Sequence, residues 1–367
     1  MKLLAVCSTT NFPNFTRRAT VEAIADQIPG TELLLFNGFK AQFDNVKSSD
    51  TLMTQYYHNW LPGTLSESGL FGSAENYVRS FTWRKYFKQY DIIFLSDPNQ
   101  HLLLDYIEKE TPVIYLIRDP NILQDTRNRD REEKILKRAE LVLATSRNLA
   151  EKYIPKYYGW NHPNVVYWPN CVDLDLWSKK DGRKQASAHS KIGVAGNFSP
   201  KRTDYHLLET LADELPNVTI EIAGKIDREE QRGFWEPYLK RKNVRYLGFI
   251  PHEELPQTVA KWKVGMVTDR ICEYTSYMHH NKVYQYLAMG VPVVSLRLHE
   301  DFEPLAPYVC STADKDSFIQ EVKVKMEKQK STDFRDQCIL LAKENSSQNR
   351  ANHFKELLKK AGWLNET

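Results

Sequence analysis

Lys282 and Gln285 stand one helical turn apart in the segment Met278-His279-His280-Asn281-Lys282-Val283-Tyr284-Gln285-Tyr286-Leu287-Ala288-Met289-Gly290. Phosphate oxygens need donors and positive charge, and a ribose needs a side chain that both donates and accepts hydrogen bonds. The lysine meets the first need and the glutamine the second, so the pair suits a diphosphate that carries a sugar and a nucleoside. An ordinary helix-glycine-strand unit with a solvated lysine has the same spacing. Carboxylates form a second set. Two short apolar runs, 91–96 and 113–117, lead into Asp97-Pro98 and Arg118-Asp119-Pro120, and the loops that follow such strands are where α/β proteins carry chemistry.

The elements that must position these residues follow from periodicity. Val283, Tyr286 and Leu287 share one face over about two turns, Gly290 ends the pattern, and the β-branched run 291–295 resumes it, which predicts a helix leading into a buried strand. The amino end of that helix offers unpaired N–H groups and a positive dipole to an anion. Upstream, strands are expected at 2–7, 33–36, 91–96, 113–117 and 141–145, with helices between them, as in a parallel sheet covered on both faces. Residues 37–73 are polar and aromatic without clear periodicity and read as a long loop containing Tyr56-Tyr57-His58-Asn59-Trp60. Residues 76–88 read as a helix in which Trp83, Phe87 and Tyr90 interleave with Arg79, Arg84, Lys85 and Lys88. Such a face could dock on an anionic membrane surface, but an amphipathic helix before a buried strand normally turns its aromatics to the core, which is the stronger reading. The alternating charges of 125–138 read as a solvated helix face. Residues 178–190, polar and without an apolar face, read as a linker. After them a second series of strands and helices starts at 191 and ends in helices beyond 316.

Composition sets the class. The chain has 367 residues, enough for two domains, with 41% hydrophobic and 26% charged residues. Its 50 basic and 47 acidic side chains nearly cancel, which argues against a nucleic-acid partner. Five scattered cysteines without a Cys-x-x-Cys pair argue against a disulfide framework or zinc site. No signal peptide or membrane-spanning run is evident, so a cytoplasmic location is expected, with the inner face of the membrane as a resting place.

Asn281-Lys282-x-x-Gln285-Tyr286-Leu287-Ala288-x-Gly290-x-Pro292-Val293-Val294 resembles the donor-binding signature of GT-B glycosyltransferases, whose usual form has glutamate where Gln285 stands. The retaining members carry a second glutamate eight positions earlier, with seven residues between the two, where this chain has Tyr277. Lysine and glutamine at this spacing are similar to the bacterial inverting glucuronosyltransferases of exopolysaccharide or teichuronic type. Gly196-Asn197-Phe198-Ser199-Pro200-Lys201-Arg202 resembles the family loop that offers a basic residue to the diphosphate, and Leu247-Gly248-Phe249-Ile250-Pro251 the loop near the nucleobase. Pro169-Asn170-Cys171-Val172-Asp173 resembles a Pro-Asn-Gly-Val-Asp segment late in the family's first domain.

The resemblance implies an α/β GT-B fold, two Rossmann-like domains whose parallel sheets face a cleft. Its expected divisions are an acceptor domain over 1–177, a linker over 178–190, a donor domain over 191–346 and a last helix in 347–367 crossing back to the first domain. It implies transfer of a sugar from a nucleotide-diphosphate donor, UDP by family likeness, to a hydroxyl of a saccharide or lipid-linked saccharide in cell-surface polysaccharide synthesis, with inversion. Asn197, Lys201, Arg202, Phe249, Ile250, Tyr277, Asn281, Lys282 and Gln285 are the expected donor contacts. No metal and no cofactor are implied, because the nucleotide sugar is itself a substrate, and Asp173-Leu174-Asp175 suits a helix cap better than a metal. Inversion in one displacement requires a base for the acceptor hydroxyl. Asp119 matches the aspartate that serves so in the exopolysaccharide glucuronosyltransferases, with Asp97 and then His58 as alternatives, while an ion pair with Arg118 or a turn before Pro120 would explain Asp119 without catalysis. A sugar-nucleotide epimerase of the same shape and a non-catalytic binding subunit are the competing classes, separated by product analysis without acceptor and by turnover against mere binding.

Overall fold

The runs Ile92–Leu95 (β4), Val113–Ile117 (β5) and Leu141–Ala144 (β6) are buried at every position, as strands covered on both faces must be. In the computed structural model, which describes residues 1–8, 16–37, 54–58, 82–178, 190–226, 229–297 and 300–365, they join Leu3–Ser8 (β1), Glu32–Asn37 (β2), Thr54–His58 (β3) and Val165–Tyr167 (β7). The seven form a parallel sheet in the order β3-β2-β1-β4-β5-β6-β7. β3 lies inside the stretch expected to be a loop. Its register, Leu33 beside Thr54 through Asn37 beside His58, comes from pairing with a distant strand, which periodicity within 37–73 does not reveal.

A second parallel sheet has the order β10-β9-β8-β11-β12-β13, built from Lys191–Phe198 (β8), Thr219–Ile226 (β9), Val244–Gly248 (β10), Val264–Val267 (β11), Val293–Leu296 (β12) and Val309–Thr312 (β13). The chain divides into two compact units, 1–169 with 347–367, and 170–346. The helix Ser347–Lys360 therefore belongs with the first sheet, and Ala351, Phe354 and Leu358 are buried in its core beside Phe94 and Trp168. The division falls before Asn170, earlier than the expected 177, because Val172 and Trp177 are buried in the core of the second unit. Of the expected linker, 179–189 lie outside the described residues. Asp173 accepts hydrogen bonds from the N–H groups of Asp175 and Leu176, so it caps the helix Leu174–Trp177.

The helix expected over 76–88 is described only from residue 82, and its helical part runs 82–87. Phe87 and Tyr90 are buried, and Phe87 stacks on Tyr106, while Arg84, Lys85 and Lys88 are exposed. The core takes these aromatics, as an amphipathic helix before a buried strand requires. Among the described residues no helix is long and apolar enough to cross a membrane.

The helix Asn128–Arg138 departs from its expected solvated character at one residue. Glu132 is fully buried, with Ile135 and Leu136. Alternating charge reports what surrounds a helix on average, whereas one buried carboxylate requires partners that come from other elements.

Candidate functional site

Because the second sheet is parallel, the carboxyl ends of all its strands share one edge, and ligands of open α/β sheets bind there. Three expected groups lie on it. Asn197 is near the end of β8, Phe249 and Ile250 follow β10, and the short helix Lys282–Ala288 enters after β11. That helix is buried along 283–288. Tyr286 packs so closely on Gly265 of β11 that any added Cβ there would overlap the ring, and its hydroxyl accepts the Ala195 N–H at 2.8 Å. The helix is thereby pinned to β8 and β11, and Lys282 is aimed at the edge.

The aim is visible at Gly196. A Cβ built on Gly196 would lie 3.2 Å from the Lys282 Nζ, so the absence of a side chain leaves room for the ammonium. Gly224, beside Gly196 in β9, brings its own backbone against the Gly196 carbonyl, and any Cβ there would collide with it. Two glycines thus keep the mouth of β8 and β9 clear of side chains. Among the described residues the Lys282 ammonium makes no hydrogen bond or direct ion pair. Burial pulls it down from the usual lysine range to about 8, with Arg202 acting the same way and Asp269 opposing.

Asp269, two residues past β11, gathers the remaining charges. Its Oδ2 accepts from the Arg202 Nη2 at 2.7 Å and lies 3.6 Å from the His280 Nδ1. Burial alone would raise its carboxyl, but Lys282, Arg202 and His280, with the Arg202 hydrogen bond, hold it at about 2. An ionised Asp269 therefore keeps Arg202 in place at neutral pH. Backbone pairing fixes the two loops to each other, with the Arg270 N–H on the Arg202 carbonyl at 2.7 Å and the Asp204 N–H on the Thr268 carbonyl at 2.9 Å. Neither Asp269 nor His280 belongs to the expected set. A lone aspartate after a strand carries no motif, and only the convergence of β8 and β11 discloses it.

The structure separates the other expected residues. Arg202 joins the charge cluster, whereas Lys201 is exposed. Phe249 is 54% exposed with the Lys225 Nζ 5.5 Å from its ring centre, and Ile250 packs on the core. Tyr277 is buried. Asn281 has helical dihedrals and its side chain caps nothing. The N–H groups of Val283, Tyr284 and Gln285 already donate to the carbonyls of His280 and Asn281, so side-chain charge, more than the helix end, makes this edge positive.

Gln285 is buried at 6% exposure, and its amide has no hydrogen-bond partner among the described residues. The amide atoms keep some contact with solvent, so they can meet a ligand. Gln285→Glu is expected to keep nucleoside affinity within about tenfold of the parent, and Gln285→Leu to lose about 1–3 kcal/mol of it, because leucine presents no group to a ribose hydroxyl. Calorimetry with uridine and UDP checks this, and equal affinities for all three side chains would remove Gln285 from the site.

In the first unit, Asp119 lies two residues beyond the carboxyl end of β5, partly exposed, and its carboxylate makes no hydrogen bond or ion pair among the described residues. The ion pair with Arg118 is thus not formed. Asp97 is engaged differently. It accepts from the Asn99 N–H at 2.9 Å and from the Asn99 amide at 3.0 Å and caps the short helix Pro98–Tyr106. His58 ends β3, and its side chain lies outside what is described. No group of three or more His, Cys, Asp or Glu side chains among the described residues is arranged to hold a metal ion.

Comparison with known proteins places this architecture. Residues 202–356 match the family described as glycosyl transferase-like. A protein of Bacillus subtilis named as a teichuronic acid biosynthesis glycosyltransferase, TuaH, is 25% identical over 200 residues, 52% of this chain. The chain spans about half the length of that relative, 49%. HepE of Anabaena, solved with UDP and glucose, superposes with a TM-score of 0.75 at 16% identity, covering 98% of this chain and 100% of HepE. Sucrose-phosphate synthase of Thermosynechococcus elongatus superposes with a TM-score of 0.73 at 14% identity, covering 98% of this chain and 99% of its own. With two parallel-sheet α/β units, a last helix returned to the first of them, and this likeness over nearly its whole length, the chain has the GT-B fold.

Proposed function

We propose that the protein transfers a sugar from a UDP-sugar to a hydroxyl of a saccharide or lipid-linked saccharide, with inversion and without a metal. The observation that carries the reading is the Lys282 ammonium, held against Gly196 at the carboxyl edge of the second sheet without a direct partner among the described residues, beside an Arg202 that Asp269 holds in place. As the bond from the anomeric carbon to the diphosphate breaks, negative charge gathers on the leaving oxygen. Fixed cations aimed at that charge stabilise the transition state more than the ground state. Gln285, whose amide has no hydrogen-bond partner among the described residues, serves the ribose, and Phe249 offers an exposed ring to the base.

Asp119 is the base that takes the acceptor hydroxyl proton as that hydroxyl attacks. Its carboxylate is uncommitted among the described residues, whereas the Asp97 Oδ1 is engaged in a cap. Polysaccharide assembly as the setting is supported by the name of TuaH, and UDP as the carrier by the ligand of HepE. A thermal-shift panel of UDP-, GDP- and dTDP-sugars tests the donor class. The UDP-sugar that fits, present at about 100 times its dissociation constant, should stabilise the fold by about 2.7 kcal/mol. A shift confined to GDP- or dTDP-sugars would overturn the uridine assignment, and no shift with any nucleotide sugar would overturn the function.

A further inference from the structure

The loop that carries Asp119 is tied down on both sides of that residue. Before it, the Thr145 hydroxyl donates to the Arg118 carbonyl at 2.9 Å. After it, the Ile122 N–H donates to the Tyr153 hydroxyl at 3.1 Å, the Asn128 amide donates to the Asn121 carbonyl at 3.0 Å, and the Asn121 amide donates to Glu132 at 2.7 Å. Two of the last three ties lead to Glu132, because Tyr153 in turn donates its own proton to the Glu132 Oε2 at 2.8 Å.

Glu132 is fully buried and takes four hydrogen bonds, two on each oxygen. Tyr115 at 2.8 Å and Asn121 reach Oε1, and Tyr153 and Tyr158 at 2.7 Å reach Oε2. These donors come from β5, from the loop after β5 and from the helical turns 149–158, three pieces of chain that helix packing alone would leave free to slide. All four donors are neutral, so this is not a buried ion pair. A buried carboxylate satisfied in this way is weak as a source of stability, since an apolar side chain of similar size fills the space without desolvation. It is strong as a source of geometry, because only one arrangement satisfies every partner at once.

We propose that Glu132, acting through Asn121 and Tyr153, is a positioning residue that holds the Asp119 loop in its working geometry. Asp119 itself makes no bond to the protein among the described residues, and the ties that fix its place there are those of the backbone on either side of it. Displacing a base by about 1 Å costs on the order of 10²-fold in rate. The inference rests on the reading of Asp119 as the base.

Its test uses the full-length protein. Tyr153→Phe removes the hydroxyl that links Ile122 to Glu132 and leaves the ring in place, and Glu132→Gln keeps the volume but turns two of the four bonds around, since an amide nitrogen donates where a carboxylate oxygen accepted. UDP release is followed with UDP-glucose, UDP-galactose, UDP-N-acetylglucosamine and UDP-glucuronate, and UDP binding by calorimetry counts folded sites. The expected result is a kcat per folded site lower by about 10- to 100-fold in both variants with UDP affinity unchanged, and no further loss when Tyr153→Phe is added to Asp119→Asn. If Glu132→Gln does not fold, Tyr153→Phe decides the question alone. Unchanged kcat per folded site, with only thermal stability reduced, would overturn the positioning role while Asp119→Asn remains inactive. An active Asp119→Asn would instead overturn the base, and the inference with it.

Discussion

Asp119→Asn is expected to lower turnover by about 10²–10⁴ while leaving UDP affinity within a factor of a few. Asparagine has nearly the shape of aspartate but cannot take a proton at neutral pH, so only the step that removes the acceptor proton suffers. The residue lies in the first unit, whereas the Lys282 cluster lies in the second, which is why binding and turnover should part. Asp97 gives the contrast. Asp97→Ala removes the cap of Pro98–Tyr106 and should cost about 0.5–2 kcal/mol of stability, with turnover per folded molecule retained. Steady-state kinetics beside calorimetry and thermal denaturation read all of these quantities. Loss of turnover in Asp97→Asn together with an active Asp119→Asn would exchange the two roles.

Lys282→Ala is expected to weaken UDP by about 2–5 kcal/mol and to leave uridine nearly unchanged, because only the diphosphate loses a charged partner. The pH dependence adds a second signature. Burial lowers the free lysine to about 8, and a bound diphosphate favours the protonated form. Binding therefore takes up a proton once the free protein has lost one. UDP affinity should fall as pH rises through about 8, approaching tenfold per pH unit above it, and this slope should vanish in Lys282→Ala. Calorimetry between about pH 7 and 9.5, in two buffers of different ionisation enthalpy, measures both the affinity and the proton uptake. Equal UDP affinity in mutant and parent, or a slope that survives the mutation, would take Lys282 out of the site.

Much of this was legible in the chain itself. The succession of short apolar strands and helices determined two α/β series, because side-chain periodicity and glycine punctuation are local properties. Lys282 and Gln285 were legible for the same reason, since their spacing is that of one helical turn. The last helix was readable as a helix, but its membership in the first unit is a matter of which core takes Phe354.

Tertiary structure alone decided which charges come together. Lys201 and Arg202 are neighbours in sequence, and only the proximity of Asp269 selects Arg202. Asp97 and Asp119 both follow strands and both stand next to proline, and what distinguishes them is that, among the described residues, one carboxylate finds the Asn99 donors and the other finds none. Glu132 looked like one more charge on a wet helix until Tyr115, Tyr153 and Tyr158 closed around it from segments up to 26 residues away. β3 was hidden because a sheet edge is specified by its partner strand. Local pattern determines which elements form, while the partners of a buried charge are set by chain segments that no window of sequence brings together.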